Sequence, residues 1–138
     1  MLGMDDNFDA RDFIERYFAR MWDLSQEGVE ALREWETEDI TWELPWSANF
    51  PGFKGLEQHH QVLGGMTNFL TGYSITMSEF HQTEDPNEVI VVADGGGPTK
   101  AGGTYANEHV MFISFRDGKI AHVREYFNPL ATARLTGG

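Results

Sequence analysis

Apolar residues recur at helical spacing in two early stretches and one middle stretch, then alternate one by one over most of the second half. In DARDFIERYFARMWDLSQ (9–26), Phe13, Ile14, Tyr17, Phe18, Met21 and Trp22 share one arc, which predicts an amphipathic helix. SQEGVEALREW (25–35) predicts a second, shorter helix with Val29, Leu32 and Trp35 inward. In DITWELP (39–45) the period drops to two, with Ile40, Trp42 and Leu44 opposite Thr41 and Glu43, so a strand is expected. PWSANFPGFKG (45–55) is a loop rich in Pro, Gly and aromatics. LEQHHQVLGGMTNFL (56–70) returns to helical spacing, weakened by Gly64 and Gly65. From Tyr73 onward the pattern is β: YSITMSEFHQ, the turn EDPNE, VIVVADG running into GGPTKAGG, then TYANEHVMFISF. RDGK (116–119) is a hairpin turn, because Asp-Gly suits a type I′ loop, and IAHVREYFN is the last strand. The remainder reads as a short exit tail.

Helices early and strands late imply α+β. The expected architecture is a cone-shaped, curved antiparallel sheet with helices covering its concave face. It forms a single domain over residues 1–138, with an apolar cavity at its mouth.

Charge narrows the partners. The net charge of −12, from 10 basic and 22 acidic residues, argues against nucleic acid, whose phosphates need clustered Lys and Arg. It also disfavours anionic membrane surfaces. With no cysteine, disulfides, thiolate nucleophiles and Cys-based zinc sites are excluded. No apolar run approaches the ~20 residues of a membrane span, and MLGMDDNFD lacks the pattern of a signal peptide. A cytoplasmic protein is the expectation.

Chemistry enters through the last hairpin. With Asp117-Gly118 as a two-residue loop, Phe112 pairs with Val123, Val110 with Glu125, and Glu108 with Phe127, all on one face. That face is apolar except for Glu108 and Glu125, while His109, Met111, His122, Arg124 and Tyr126 take the other, a face suited to a subunit partner. A bulge would shift this register. Burial and a second carboxylate both favour the neutral acid, so Glu125 is a candidate for proton transfer. The competing account pairs it with Arg124, Arg134 or a backbone amide.

On the middle helix, His59 falls inside the apolar arc and His60 at its edge, so His59 is the better cavity candidate. A hydrogen-bonded core histidine is the alternative. Tyr17 sits mid-arc on the first helix, as core or as a hydrogen-bond donor to an oxyanion. Trp42, Trp46, Phe50 and Phe53 supply aromatic surface for a flat or apolar ligand, or for core or dimer contacts. Several motifs fail. DGGGPTK lacks the phosphate-loop pattern, and adjacent histidines do not form an i, i+4 metal pair. No G-x-S-x-G or helix-opening G-x-G-x-x-G occurs. No cofactor and no metal are expected.

The first helix (IERYFARMWD), the strand ITWELP and the final hairpin together resemble the nuclear transport factor 2-like superfamily, which includes ketosteroid isomerase and SnoaL-like polyketide cyclases. TEDPNEVIVVADGGG, TYANEHVMFISFRDGKIAHVREYFNP and the EQHH helix look most like the phenazine-biosynthesis A/B proteins. That resemblance implies a homodimer that joins ketone-bearing precursors by acid/base catalysis. It places the family's pocket glutamate on Glu125, its helix histidine on His59 or His60, and a tyrosine on Tyr105. In the register above, Tyr105 lies on the face opposite Glu125. The aspartate of ketosteroid isomerase corresponds to Leu44, which speaks against a steroid isomerase specifically.

The expectation is therefore a cofactor-free enzyme acting on a small carbonyl-bearing intermediate, by condensation, cyclisation or isomerisation. Glu125 and His59, or His60, would transfer protons, and Tyr17 and Tyr105 would bind substrate oxygens. Trp42, Trp46, Phe53, Glu108, Val110, Val123 and Phe127 would complete the cavity. A non-catalytic ligand-binding or dimerisation module is the alternative. A hydrolase or dehydratase using water held by Glu108 and Glu125 is a third reading.

Overall fold

A computed structural model describes residues 8–47 and 51–136. Two short helices come first, α1 (Ala10–Arg20) and α2 (Gln26–Ala31), the second running into a 3-10 turn at Leu32–Glu34. Asp9 and Ser25 cap them, their side chains accepting from the amides of Asp12 and Gly28. Strands β1 (Glu36–Glu43) and β2 (Gly52–Lys54) lead to α3 (Leu56–Gly65). Then come β3 (Ser74–Gln82), β4 (Glu88–Pro98), β5 (Thr104–Arg116), β6 (Lys119–Phe127) and α4 (Pro129–Thr136).

The six strands form one sheet in the order β2-β1-β6-β5-β4-β3. Every pairing is antiparallel except β1 with β6. That parallel pair departs from the wholly antiparallel sheet expected. β1 is separated from β6 by most of the chain, so no hairpin dictates its direction. The fold is otherwise the α+β cone expected, with α1 and α3 packed over the sheet's inner face. Ile14, Tyr17 and Phe18 of α1 and Leu63 of α3 share one core with Ile75, Val91, Met111, Ile113 and Val123 from the strands. No helix among the described residues is long and apolar enough to cross a membrane.

Three local readings differ from the structure. β1 begins at Glu36, three residues earlier than alternation suggested, because Glu36 and Thr37 are buried although polar. Part of the expected loop is the short strand β2, whose Phe53 pairs with Trp42. The exit tail is the helix α4. Phe50 lies outside the described residues.

The decisive difference is in the last hairpin. Asp117 and Gly118 both take positive φ, 55° and 74°, as a type I′ turn requires. Arg116 pairs with Lys119 and Phe115 with Ile120, but Ser114 pairs with His122. Ala121 is thus the extra residue of a bulge, and every later partner moves by one. Glu125 pairs with Met111, Tyr126 with Val110, and Phe127 with His109. A one-residue slip exchanges faces. His109, Met111 and Ile113 therefore join Glu125 inside the cone, while Glu108, Val110 and Phe112 turn to the outer face. The expectation that Glu108 and Val110 share a face with Glu125 is corrected.

Candidate active site

The inner face of the sheet, α3 and α4 enclose a cavity of about 440 Å³. Its walls are mainly apolar: Trp42, Leu44, Phe53, Val62, Met66, Met111 and Phe127 among others. His59, Tyr73, Tyr105, His109 and Glu125 supply most of its chemistry, and no Lys or Arg occurs among the described lining residues.

Glu125 is buried at the floor. Its Oε1 accepts from Trp42 Nε1 at 2.7 Å, and its Oε2 is bonded to His109 Nδ1. β1 lies beside β6, with Trp42 in register with Val123, so the indole reaches the carboxylate two residues on. Both carboxylate oxygens are thus occupied by protein donors. The far nitrogen of His109 is different. Nε2 is buried and has no hydrogen-bond partner among the described residues. A neutral imidazole held by a carboxylate at Nδ1 carries its proton there and has its lone pair on Nε2.

Tyr73 and Gly95 complete this floor. A Cβ built on Gly95 would sit 3.0 Å from His109 Nε2 and 3.0 Å from the Tyr73 hydroxyl. The missing side chain thus keeps the space in which ring and hydroxyl come close. Burial pushes the Tyr73 hydroxyl up from its ordinary pKa, helped by the charge of Glu125 and by Tyr105. Tyr73 is therefore a neutral donor at physiological pH.

Tyr105 also lines the cavity. The bulge at Ala121 removes the conflict in the simple register: Tyr105 and Glu125 share the inner face. Asn107 Nδ2 donates to the Tyr105 hydroxyl at 2.9 Å and to the Asn128 carbonyl at 3.1 Å. Asn107 Oδ1 accepts from the Asn128 amide at 2.9 Å. One buried side chain thereby positions Tyr105 and the start of α4, whose Thr132 and Leu135 reach the cavity.

His59 and His60 point to different places. The His59 ring stacks on Phe53 (centroids 4.7 Å apart, 12° between planes), touches Trp42, and lines the cavity. Its Nδ1 lies 2.8 Å from Glu36 Oε2, though out of line for a hydrogen bond. His60 Nε2 meets Glu36 Oε1 at 3.3 Å, and its ring lines an outer groove instead. The Tyr17 hydroxyl donates to Glu36 Oε2. Burial and the adjacent Glu36 carboxylate raise the Tyr17 pKa well above its ordinary value. Tyr17 is committed to Glu36 and does not line the cavity.

Of the other residues singled out from sequence, Trp42, Phe53 and Phe127 line the cavity. Val123 is fully buried in the core beneath it. Trp46 is mostly exposed and packs edge-on against Tyr126 on the outer face. Glu108 and Val110 line shallow outer depressions. Glu36, Tyr73 and His109 were not singled out. Only the bulge distinguishes the true face of His109. Glu36 lies in the acidic run REWETED, whose composition gives no sign of burial. Among the described residues, no group of three or more His, Asp or Glu side chains is arranged to hold a metal ion.

A six-stranded cone that closes with helices over an apolar cavity is the nuclear transport factor 2-like α+β fold. The chain belongs to the SnoaL-like domain family, whose pattern matches residues 14–123. It is 30% identical over 94 residues to an uncharacterized PhzA/B-like protein of Pseudomonas aeruginosa, an alignment covering 67% of this chain and 64% of that protein. The chain thus spans less than two thirds of the length of the curated relatives it matches. Among solved structures it is similar to a Bacillus subtilis protein provisionally named an isomerase (TM-score 0.82, 22% identity, 98% of this chain and 97% of that one). It is also similar to a Jannaschia protein provisionally named a SnoaL-like polyketide cyclase (TM-score 0.72, 15% identity, 95% and 96% covered). At these identities the two structures speak for the fold.

Proposed function

We propose that the protein is a cofactor-free acid/base enzyme that isomerises or cyclises a small, uncharged carbonyl compound within the cone. The observation that carries this reading is His109, with Nδ1 held by Glu125 and Nε2 buried, unpartnered and beside Tyr73. In this reading His109 Nε2 takes a proton from the carbon next to the carbonyl. Tyr73 and Tyr105 donate hydrogen bonds to the oxygen as negative charge develops on it. Glu125 stabilises the imidazolium that results, as a positioning residue that acts through the ring. The enolate then either recovers the proton from His109 at another carbon, or attacks a second carbonyl carbon of the same molecule, whose oxygen takes the proton from His109 as the new carbon–carbon bond forms. The first outcome is isomerisation and the second ring closure, and in both every proton is accounted for.

The walls support an uncharged substrate, since no described lining residue offers a cation to a carboxylate or phosphate. The provisional isomerase and cyclase names of the similar structures agree with this reaction class. Leu44 lines the cavity where ketosteroid isomerase would place its aspartate, so His109 supplies the base from a different strand. Water held between Glu108 and Glu125 is not available to a hydrolase or dehydratase, because the two side chains leave opposite faces of the sheet.

β-Tetralone, an apolar ring ketone with acidic α-protons, is a suitable probe. In deuterated water the protein should accelerate exchange of those protons, followed by proton NMR. His109→Asn should lose about 100-fold or more of that rate, the usual size of a general-base contribution. Glu125→Gln should lose less and Glu125→Asp should recover part of it. Undiminished exchange in His109→Asn would overturn the assignment. Binding of the ketone without exchange by the unaltered protein would leave a ligand-binding module.

A further inference from the structure

Gly64 and Gly65 lie side by side at the end of α3, and neither meets a need of the backbone. Gly52 shows such a need. Its φ is positive, and a Cβ on it would come within 1.9 Å of the Trp42 carbonyl oxygen. Gly64 and Gly65 keep φ outside the positive region, and Gly65 takes −65° with ψ −21°, as any helical residue does. A Cβ on either would meet no atom within 4 Å beyond its own helix. Glycine in a helix is less favourable than alanine. The space left by each missing side chain is therefore the feature to account for.

The two spaces differ. Gly64 lines the wide outer groove beside α2, and Gly65 lines the cavity. Gln61, Asn68 and Phe69 also line the cavity, and all three are exposed to solvent. The cavity therefore opens along this edge of α3. Gly65 belongs to that edge, one helical turn after Gln61 and on the same face. The cavity behind it, about 440 Å³, is of the size that takes drug-sized ligands.

We propose that Gly65 is a specificity-determining residue, whose missing side chain keeps the mouth wide enough for carbonyl compounds larger than a single ring. The inference rests on reading the cavity as the site of an uncharged carbonyl compound. A leucine here would fill space at the mouth without displacing a neighbour. A leucine at Gly64 would fill the outer groove instead.

The test compares the two glycines. Binding of β-tetralone, with two fused rings, and of cyclopentanone, with one, is followed by NMR titration of the full chain. Gly65→Leu should weaken β-tetralone at least about 10-fold and cyclopentanone less than about twofold. Gly64→Leu should change neither. Gly65→Ala should raise the urea midpoint, as a better helix former. Gly65→Met repeats the test with a more yielding side chain should the leucine variant not fold. Unchanged β-tetralone affinity in Gly65→Leu, or equal losses for both ketones, would overturn the proposal. So would the same loss in Gly64→Leu, which would trace the effect to the backbone of the helix, or no binding of β-tetralone by the unaltered protein. Binding is read without any reaction. Size discrimination without α-proton exchange would sink the proposed reaction alone. Exchange by the unaltered protein, with β-tetralone affinity unchanged in Gly65→Leu, would sink the role of Gly65 alone.

Discussion

Two buried glutamates, Glu125 and Glu36, each meet histidine in this fold, and they are built differently. Glu125 is held by an indole N–H and one ring nitrogen, and its histidine, which lines the cavity, keeps the other nitrogen buried and unpartnered. Glu36 sits among three groups, a tyrosine hydroxyl and two imidazoles, with no exposure of its own. The first cluster leaves a buried ring nitrogen without a partner on a residue that lines the cavity. The second leaves the carboxylate enclosed and divides its neighbours between two compartments. The same pair of residue types thus leaves an unpartnered ring nitrogen in one place and an enclosed carboxylate in the other. The surroundings decide which.

Removing each carboxylate should separate the two by stability. Glu36→Ala leaves the Tyr17 hydroxyl and two rings facing an apolar gap and should cost about 3 kcal/mol. Glu125→Ala should cost about half as much, roughly 1.5 kcal/mol, because water entering from the cavity can replace the lost acceptor. Urea unfolding of the two variants checks the order, and equal costs would remove the contrast.

A smaller effect is expected in alkali. Tyr17 and Tyr73 both have raised pKa values in the fold, each first through burial. An unfolded tyrosine ionises near pH 10 while the folded ones keep their protons, so the folded state binds more protons there. Their contribution is complete below pH 10 and should fall as the pH rises beyond about 10. Urea unfolding at stepped pH should show that decline, and Tyr17→Phe should flatten it. A stability that rises above pH 10 would contradict the sign.

Much of the fold was legible because its signals are local. The helical arcs around Ile14 and His59, the alternation of β4 and β5, and the Asp-Gly turn each announce themselves within a few residues. The site was legible only in part. Glu125 stood out as an acid on an apolar face, and the EQHH helix placed His59 against the cavity. His109 was assigned to the outer face because Ala121 carries no mark of a bulge, and one unpaired residue exchanges every later partner. The burial of Glu36 depends on Tyr17, 19 residues away, and on two histidines of α3. No local pattern encodes contacts of that kind. The parallel pairing of β1 with β6 was hidden for the same reason.

The tautomer of His109 is the most direct measurement of how the cavity works. Long-range nitrogen–proton NMR of the full chain at about pH 8, where an ordinary imidazole is neutral, distinguishes the two ring nitrogens. The geometry predicts a proton on Nδ1, shared with Glu125, and a bare Nε2. A proton on Nε2, whether in place of that on Nδ1 or in addition to it, would contradict His109 as the base.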